Sequence, residues 1–220
     1  MINLPPEVKY NPDFFNPVDL EDAKRIVLGH GISETPGKWE IETDWNCKLF
    51  KTRKFLNKDS IVLDWGVGIG RLSKMIIDTF GCKVVGVDIN SKMLEYATDY
   101  VGSDLFSTMT VEEFKTTNTT KFTNTIAVWA LQHSIDPVSD IITIKNSLTS
   151  DAEIFIFEER GSCIPIASTD QTISTPWFLI YESNFHRLEK QFRVIEHGKF
   201  PKILNIPENN LTWWGFFKNK

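Results

Sequence analysis

The amino-acid sequence predicts an α/β fold built on a mainly parallel sheet. Two observations carry this. From residue 60 onward, strand-length apolar runs alternate with segments whose apolar residues recur at helical spacing. A glycine-rich turn with Gly66, Gly68 and Gly70 directly follows the first strand of that series, where open parallel sheets place their ligands. At 220 residues the chain is long enough to bury a core as a single structural domain.

The elements follow in order. Residues 1 to about 36 are rich in Pro, Asn and Gly and read as an irregular arm with one short helix at "PVDLEDAKRIVLG". Asp19 is placed to cap that helix and Gly29 to end it. "IVLD" (61–64) is a short buried strand. "RLSKMIIDTF" then sets Leu72, Met75, Ile76 and Phe80 on one helical face, with Gly81 as the stop. "KVVGVD" (83–88) is a strand, "SKMLEYATDYV" a helix, "LFSTMT" (105–110) a strand and "NTIAVWAL" (124–131) a strongly apolar strand. Asp136 and Pro137 have the order of an N-cap and first helical residue, ahead of Ile141, Ile144 and Leu148 on one face. "AEIFIFEE" (152–159) is the next strand, followed by an irregular stretch over 160–182. A helix near "SNFHRLEKQ" and the strands "FRVIEHG" and "LTWWGFFK" close the chain.

Composition narrows the function. Hydrophobic residues are 41% and no apolar run nears 18 residues, so a soluble protein without a membrane partner is expected. The start, "MINLPPEVKYNPDFFNP", lacks a basic region followed by an apolar one, so no secretory leader is expected. Cys47, Cys82 and Cys163 are scattered and form no CxxC pair. That fits a reducing cytoplasm and argues against disulfides and a structural metal. A net charge of −5 speaks against nucleic acid, and the basic run from Lys48 to Lys58 reads as a solvated helix face.

The glycine turn, "VLDWGVGIGR", is spaced G-x-G-x-G, and Arg71 stands where the dinucleotide fingerprint G-x-G-x-x-G requires its last glycine. Asp64 precedes the first glycine by two positions and would repel a pyrophosphate. Asp88 ends the second strand, 18 residues beyond Gly70, where a carboxylate accepts hydrogen bonds from ribose hydroxyls. Two strand-end acids around such a turn suit a cationic, phosphate-free cofactor, and S-adenosylmethionine has those properties.

"VLDWGVGIGR" followed by "VVGVDINSKMLEYA" resembles motifs I and II of class I S-adenosylmethionine-dependent methyltransferases, and the resemblance runs from about residue 60 to 158. It implies a three-layer Rossmann-like fold with a seven-stranded, mostly parallel sheet, an antiparallel strand near the C-terminal end and an N-terminal helical lid. Residues 1–55 would form the arm and lid and 56–220 the cofactor-binding domain. By the same resemblance Asp64, Gly66, Gly68 and Gly70 line the methionine portion of S-adenosylmethionine and Asp88 holds the ribose. Ile89 and Met93 flank the adenine or ribose, and Thr110, Val111 or Glu112 meets the adenine amino group. Trp65 and Val67 replace the usual small or Cys residues between the glycines, and Asn124 opens the fourth strand in place of Asp. No [DN]-P-P-[YF] follows that strand, which disfavours methylation of DNA bases.

Methyl transfer from a sulfonium is an in-line displacement that needs alignment, a dry pocket and a base if the nucleophile arrives protonated. His133, past the fourth strand, is the candidate base and Gln132 a candidate to orient the acceptor; Trp129 reads as core. His186 and His197 read as structural, and His30 as a helix-end residue. Some methyltransferases of this type carry an N-terminal Trp-x-x-Glu-Thr element that closes over the cofactor. Trp39, Glu42 and Thr43 in "GKWEIETDW" match it, although an amphipathic helix with Trp39 and Trp45 turned inward reads equally well. Residues 160–182 occupy the place of substrate-recognition insertions, with Trp177 and Phe178 as candidate walls of a small, partly apolar pocket. The expected activity is methyl transfer to an O or N nucleophile of a small molecule. A noncatalytic S-adenosylmethionine-binding protein and a nicotinamide-dependent oxidoreductase remain as alternatives.

Overall fold

The computed structural model describes residues 1–28, 37–170, 175–199 and 212–220. The expected helix stop at Gly29, the helix-end His30 and part of the 160–182 segment lie outside them. Seven strands form the main sheet: β2 (Ile61–Trp65), β3 (Lys83–Asp88), β4 (Phe106–Thr110), β5 (Phe122–Val128), β6 (Leu148–Glu159), β9 (Phe192–Lys199) and β10 (Thr212–Asn219). Their order is β4-β3-β2-β5-β6-β10-β9, with β10 antiparallel to both neighbours and the other pairings parallel. The order reverses between β2 and β5, so the ends of these two strands frame the crevice where such sheets bind ligands.

Helices cover both faces. One face packs Leu63, Phe122, Ile154 and Ile156 under α5 (Val111–Thr117), α6 (Pro137–Asn146) and α7 (Asn184–Gln191), through Phe114, Ile141, Ile144 and Leu188. The other packs Val62, Val84, Ile126 and Phe155 under α2 (Lys38–Arg53), α3 (Arg71–Phe80) and α4 (Ser91–Val101), through Phe50, Leu72, Ile76 and Val101. Strands buried on both faces read as continuous apolar runs, which is why "IVLDW" and "IFIF" do not alternate. Local chemistry sets the helix ends. Asn90 accepts from the N–H groups of Lys92 and Met93. Asp136 accepts from Ser139 N–H with Pro137 at the first helical position, and Gly81 closes α3 at a φ of 68°.

Four expectations change. Leu148, expected on the face of the helix after Pro137, instead opens β6, because α6 ends at Asn146 and β6 begins four residues before the expected 152. The apolar strand over 124–131 ends at Val128, because Trp129 adopts a left-handed φ of 58° and residues Leu131–His133 form a 3-10 turn. The irregular 160–182 stretch contains β7 (Ser162–Ser168) and β8 (Trp177–Ile180). The irregular arm contains β1 (Val8–Tyr10) and a 3-10 turn at Pro12–Phe15, besides α1 (Leu20–Leu28). These three strands form a second antiparallel sheet ordered β1-β7-β8. The segment ahead of β2 also holds two packed helices. Helix α2 is seated on the sheet by Phe50, fully buried with its ring 5.0 Å from that of Phe155. Helix α1 lies over the glycine turn, where Ala23, Ile26 and Val27 meet Ile69 and Met93.

Candidate active site

The turn after β2 is dictated by its glycines. Gly66, Gly68 and Gly70 have φ of 77°, 54° and 79°, a region closed to most side chains. Space forbids a side chain as well, since a Cβ on Gly66 would collide with the Ala130 methyl. The N–H groups of Gly66 and Val67 both donate to Val87 O, at 2.8 and 3.0 Å, which binds the turn to the end of β3.

Asp88 reaches back from that end. Its Oδ2 accepts from Gly68 N–H at 3.0 Å and its Oδ1 from Asn90 N–H at 3.1 Å, leaving further lone pairs on both oxygens. Burial raises its pKa, opposed by these backbone donors. Asp64 is 4% exposed and accepts from Ser73 Oγ at 2.7 Å. Burial pushes its carboxyl up to about 7, with the Ser73 hydroxyl and the Arg71 charge acting against the rise.

Of the remaining expected cofactor residues, Ile89 stands open to solvent while Met93 is packed into the cluster beneath α1. Thr110 lies level with Asp88 across β3 and β4, but its hydroxyl is taken up by a capping box with Glu113. Val111 is half-buried and Glu112 exposed.

The Trp-x-x-Glu-Thr element behaves differently from the expectation. Glu42 does not face the glycine turn as a free carboxylate. Its Oε1 accepts from Arg71 Nη2 at 2.6 Å and from Trp129 Nε1 at 2.9 Å. Thr43 Oγ1 accepts from Arg71 Nη1 at 3.1 Å, and the Trp39 ring lies 5.5 Å from the same guanidinium. All three residues serve a buried Arg71, because a guanidinium taken out of water needs a counter-charge and acceptors. The sequence showed Arg71 only as a glycine that was missing.

On the far side of the crevice, the turn after β5 carries Gln132 and His133. His133 Nδ1 donates to Cys163 O at 2.8 Å, which leaves its lone pair on Nε2. There it meets Gln132 Nε2 at 3.1 Å, and Gln132 Oε1 accepts from Glu159 N–H at 2.7 Å. Burial pulls the His133 pKa down to about 4, so the imidazole is neutral at physiological pH. Its ring centroid is 5.4 Å from that of Trp177 and 5.2 Å from that of Phe15, and Phe14 lies 4.5 Å from Trp177. Trp177 thus stands beside His133. Phe178, its neighbour in β8, points to the opposite face of the small sheet. Sequence reasoning missed Phe14 and Phe15, in a stretch it read as irregular. It also missed Glu158, a fully buried carboxyl at the end of β6 that burial pushes up to about 8.

The crevice therefore has two sides. The buried carboxyl of Asp64 and the half-buried one of Asp88 flank a glycine cradle under β2 and β3, with the Arg71 cation turned away to Glu42. A neutral imidazole among aromatic rings stands under β5. Among the described residues no helix is long and apolar enough to cross a membrane.

Comparison with known proteins agrees with this geometry. Residues 62–144 match a family described as a methyltransferase domain. No curated protein matches the chain. Among solved structures, magnesium protoporphyrin IX methyltransferase from Synechocystis PCC 6803, with bound SAH, is 15% identical with a TM-score of 0.65, covering 95% of this chain and 98% of that one. A SAM-dependent methyltransferase from Aquifex aeolicus is 16% identical with a TM-score of 0.60, covering 96% and 100%. The [4+2]-cyclase SpnF also shares the fold, at 15% identity and a TM-score of 0.56 over 70% of this chain and 58% of that one.

Proposed function

We propose that the chain is a class I S-adenosylmethionine-dependent methyltransferase and that it methylates an oxygen or nitrogen of a small molecule; the match of residues 62–144 to a methyltransferase domain and the shared fold support this reading. The observation that carries the reading is the glycine cradle at the switch point, bracketed by the carboxyls of Asp64 and Asp88. That donor set fits S-adenosylmethionine. The free lone pairs of Asp88 suit ribose hydroxyls, and the buried carboxyl of Asp64 suits a cationic neighbour. Glycines 66, 68 and 70 allow the cofactor to approach the backbone, and Ile89 and Thr110 stand on the adenine side.

S-adenosylmethionine supplies a methyl group already activated on a sulfonium, so the protein's task is alignment and exclusion of water. The aromatic group of Phe15, Trp177 and His133 supports a small, partly flat acceptor. Gln132, fixed by Glu159 N–H, holds the imidazole and presents it in one tautomer. Both ring nitrogens of His133 are taken up, by Cys163 O and by Gln132, so the ring serves as a wall of the acceptor site and acts as a base only where an acceptor displaces Gln132 from Nε2. Three free thiols support a reducing, cytoplasmic setting.

The test is calorimetry with S-adenosylmethionine and S-adenosylhomocysteine on the wild type and Asp88→Ala. A mass-spectrometric screen for a gained methyl would then compare small-molecule pools with RNA, DNA and protein. Binding that is lost in Asp88→Ala, with methyl gain confined to the small-molecule pool, is expected. No binding of either ligand refutes the cofactor; methyl gain only on a macromolecule refutes the acceptor.

A further inference from the structure

We propose that Glu42 is a positioning residue of the methyl-transfer site: one buried carboxylate through which the cofactor side and the acceptor side of the crevice hold each other in place. Glu42 is 1% exposed, and a single oxygen, Oε1, receives both Arg71 Nη2 at 2.6 Å and Trp129 Nε1 at 2.9 Å. The two donors come from opposite banks. Arg71 is the first residue of α3, directly after Gly70 of the cradle. Trp129 is the first residue after β5, four positions before His133. The proposal rests on reading 66–71 as the cofactor side and 129–133 as the acceptor side.

Trp129 is the residue that needs holding. It is not a glycine, yet its φ is 58°, in the left-handed region that a bulky side chain rarely enters. Its backbone N–H donates to Phe157 O at 2.7 Å, its ring lies 4.6 Å from that of Phe157, and its indole N–H ends on Glu42. These contacts turn the chain so that Ala130 falls onto Gly66 and the next three residues form the turn bearing Gln132 and His133. A left-handed residue persists where its surroundings over-determine it, and here one of those constraints comes from another element.

Glu42 provides a rigid reference. Helix α2 is fixed to the sheet two turns further on by fully buried Phe50, so the carboxylate sits on a helix that does not follow either bank. The ion pair has side-chain exposures of 3% for Arg71 and 2% for Glu42, so water competes for neither partner. Loss of the indole N–H frees the shared oxygen on one side only. Arg71 then reorients around Glu42 and Thr43, and the first turn of α3 loosens although it never touched Trp129. Loss of the guanidinium acts in the reverse direction.

Native-state hydrogen exchange on the full chain, without cofactor, reads this directly in Trp129→Phe and Arg71→Met, with the amides of β6 as the reference for global unfolding. Trp129→Phe, which keeps an aromatic ring but removes the indole N–H together with the five-membered ring, is expected to speed exchange at Lys74, whose N–H donates to Gly70 O at 2.8 Å, and at the next amides of α3 by about tenfold beyond any change in β6. Arg71→Met is expected to do the same at His133 and Ser134, whose N–H groups donate to Ala130 O and Leu131 O. A Trp129→Phe effect confined to 128–134, or one equal to that in β6, overturns the proposal. If Arg71→Met does not fold, Trp129→Phe decides alone. Calorimetry with S-adenosylhomocysteine on the same samples separates the two claims. Wild-type protein that shows the exchange coupling but binds no S-adenosylhomocysteine refutes the cofactor reading and leaves the coupling standing.

Discussion

Replacing Asp64 by Asn should make the protein more stable and a poorer binder at the same time. The side chain is 4% exposed, and burial raises its carboxyl from 3.8 to about 7. Because the folded-state pKa lies above the unfolded one, the native state holds the proton more tightly. Stability from this group is therefore fully present below pH 3.8, falls as pH rises toward 7, and stays low above it. About three pH units at about 1.4 kcal/mol each give a cost near 4 kcal/mol, an upper bound for ionising this group in the empty site. Asn carries no charge and can still accept from Ser73 Oγ. Denaturation of both proteins at pH 8.5 should show Asp64→Asn ahead by about 1–4 kcal/mol, roughly 2–4 °C in Tm per kcal/mol at this chain length, with the gap closing toward pH 4. Calorimetry at pH 8.5 should show S-adenosylmethionine binding weakened by about 10–100-fold, since the carboxylate no longer meets a cation. An Asn variant that is no more stable than wild type at pH 8.5, or that binds the cofactor unchanged, would refute the reasoning.

Gly66→Ala combines a forbidden φ of 77° with a collision against Ala130, so urea denaturation should show a loss of about 2–4 kcal/mol. Phe50→Ala leaves a hole between α2 and β6 and should cost about 3–5 kcal/mol by the same measurement. The His133 ring should titrate by NMR near 4 rather than 6.5, and its burial makes stability fall as pH drops from 6.5 toward 4, where the unfolded chain takes up the proton first. His133→Gln should flatten that part of the stability profile.

What the sequence revealed and what it hid follow from the range of each interaction. The glycine cradle was legible because a positive φ is a local demand that few residues other than glycine meet. Asp88 was legible because a strand end and its spacing from the turn are both local. Arg71 and Glu42 were visible as letters, but their pairing spans 29 residues, and that of Glu42 with Trp129 spans 87. Nothing in a single sequence joins such distant polar residues. The early end of β5 was hidden for the same reason, since "AVWAL" is apolar throughout and only tertiary contacts turn it at Trp129. The second sheet escaped because β1 is three residues long and its partner begins with Ser162 in a stretch rich in Ser, Thr and Pro.

That second sheet has a consequence for how the protein is made. Val8 pairs with Ser168 and Tyr10 with Ile166, so the roof beside His133 is sewn from two segments about 160 residues apart in the chain. Loop closure over such a span is slow compared with the local β–α–β units of the centre. The cofactor cradle is therefore expected to mature before the roof, and a nascent chain would hold a half-built crevice. A bulky fusion at the N-terminus would act on the same late step, disturbing the choice of acceptor while the older half of the site goes on recognising its cofactor.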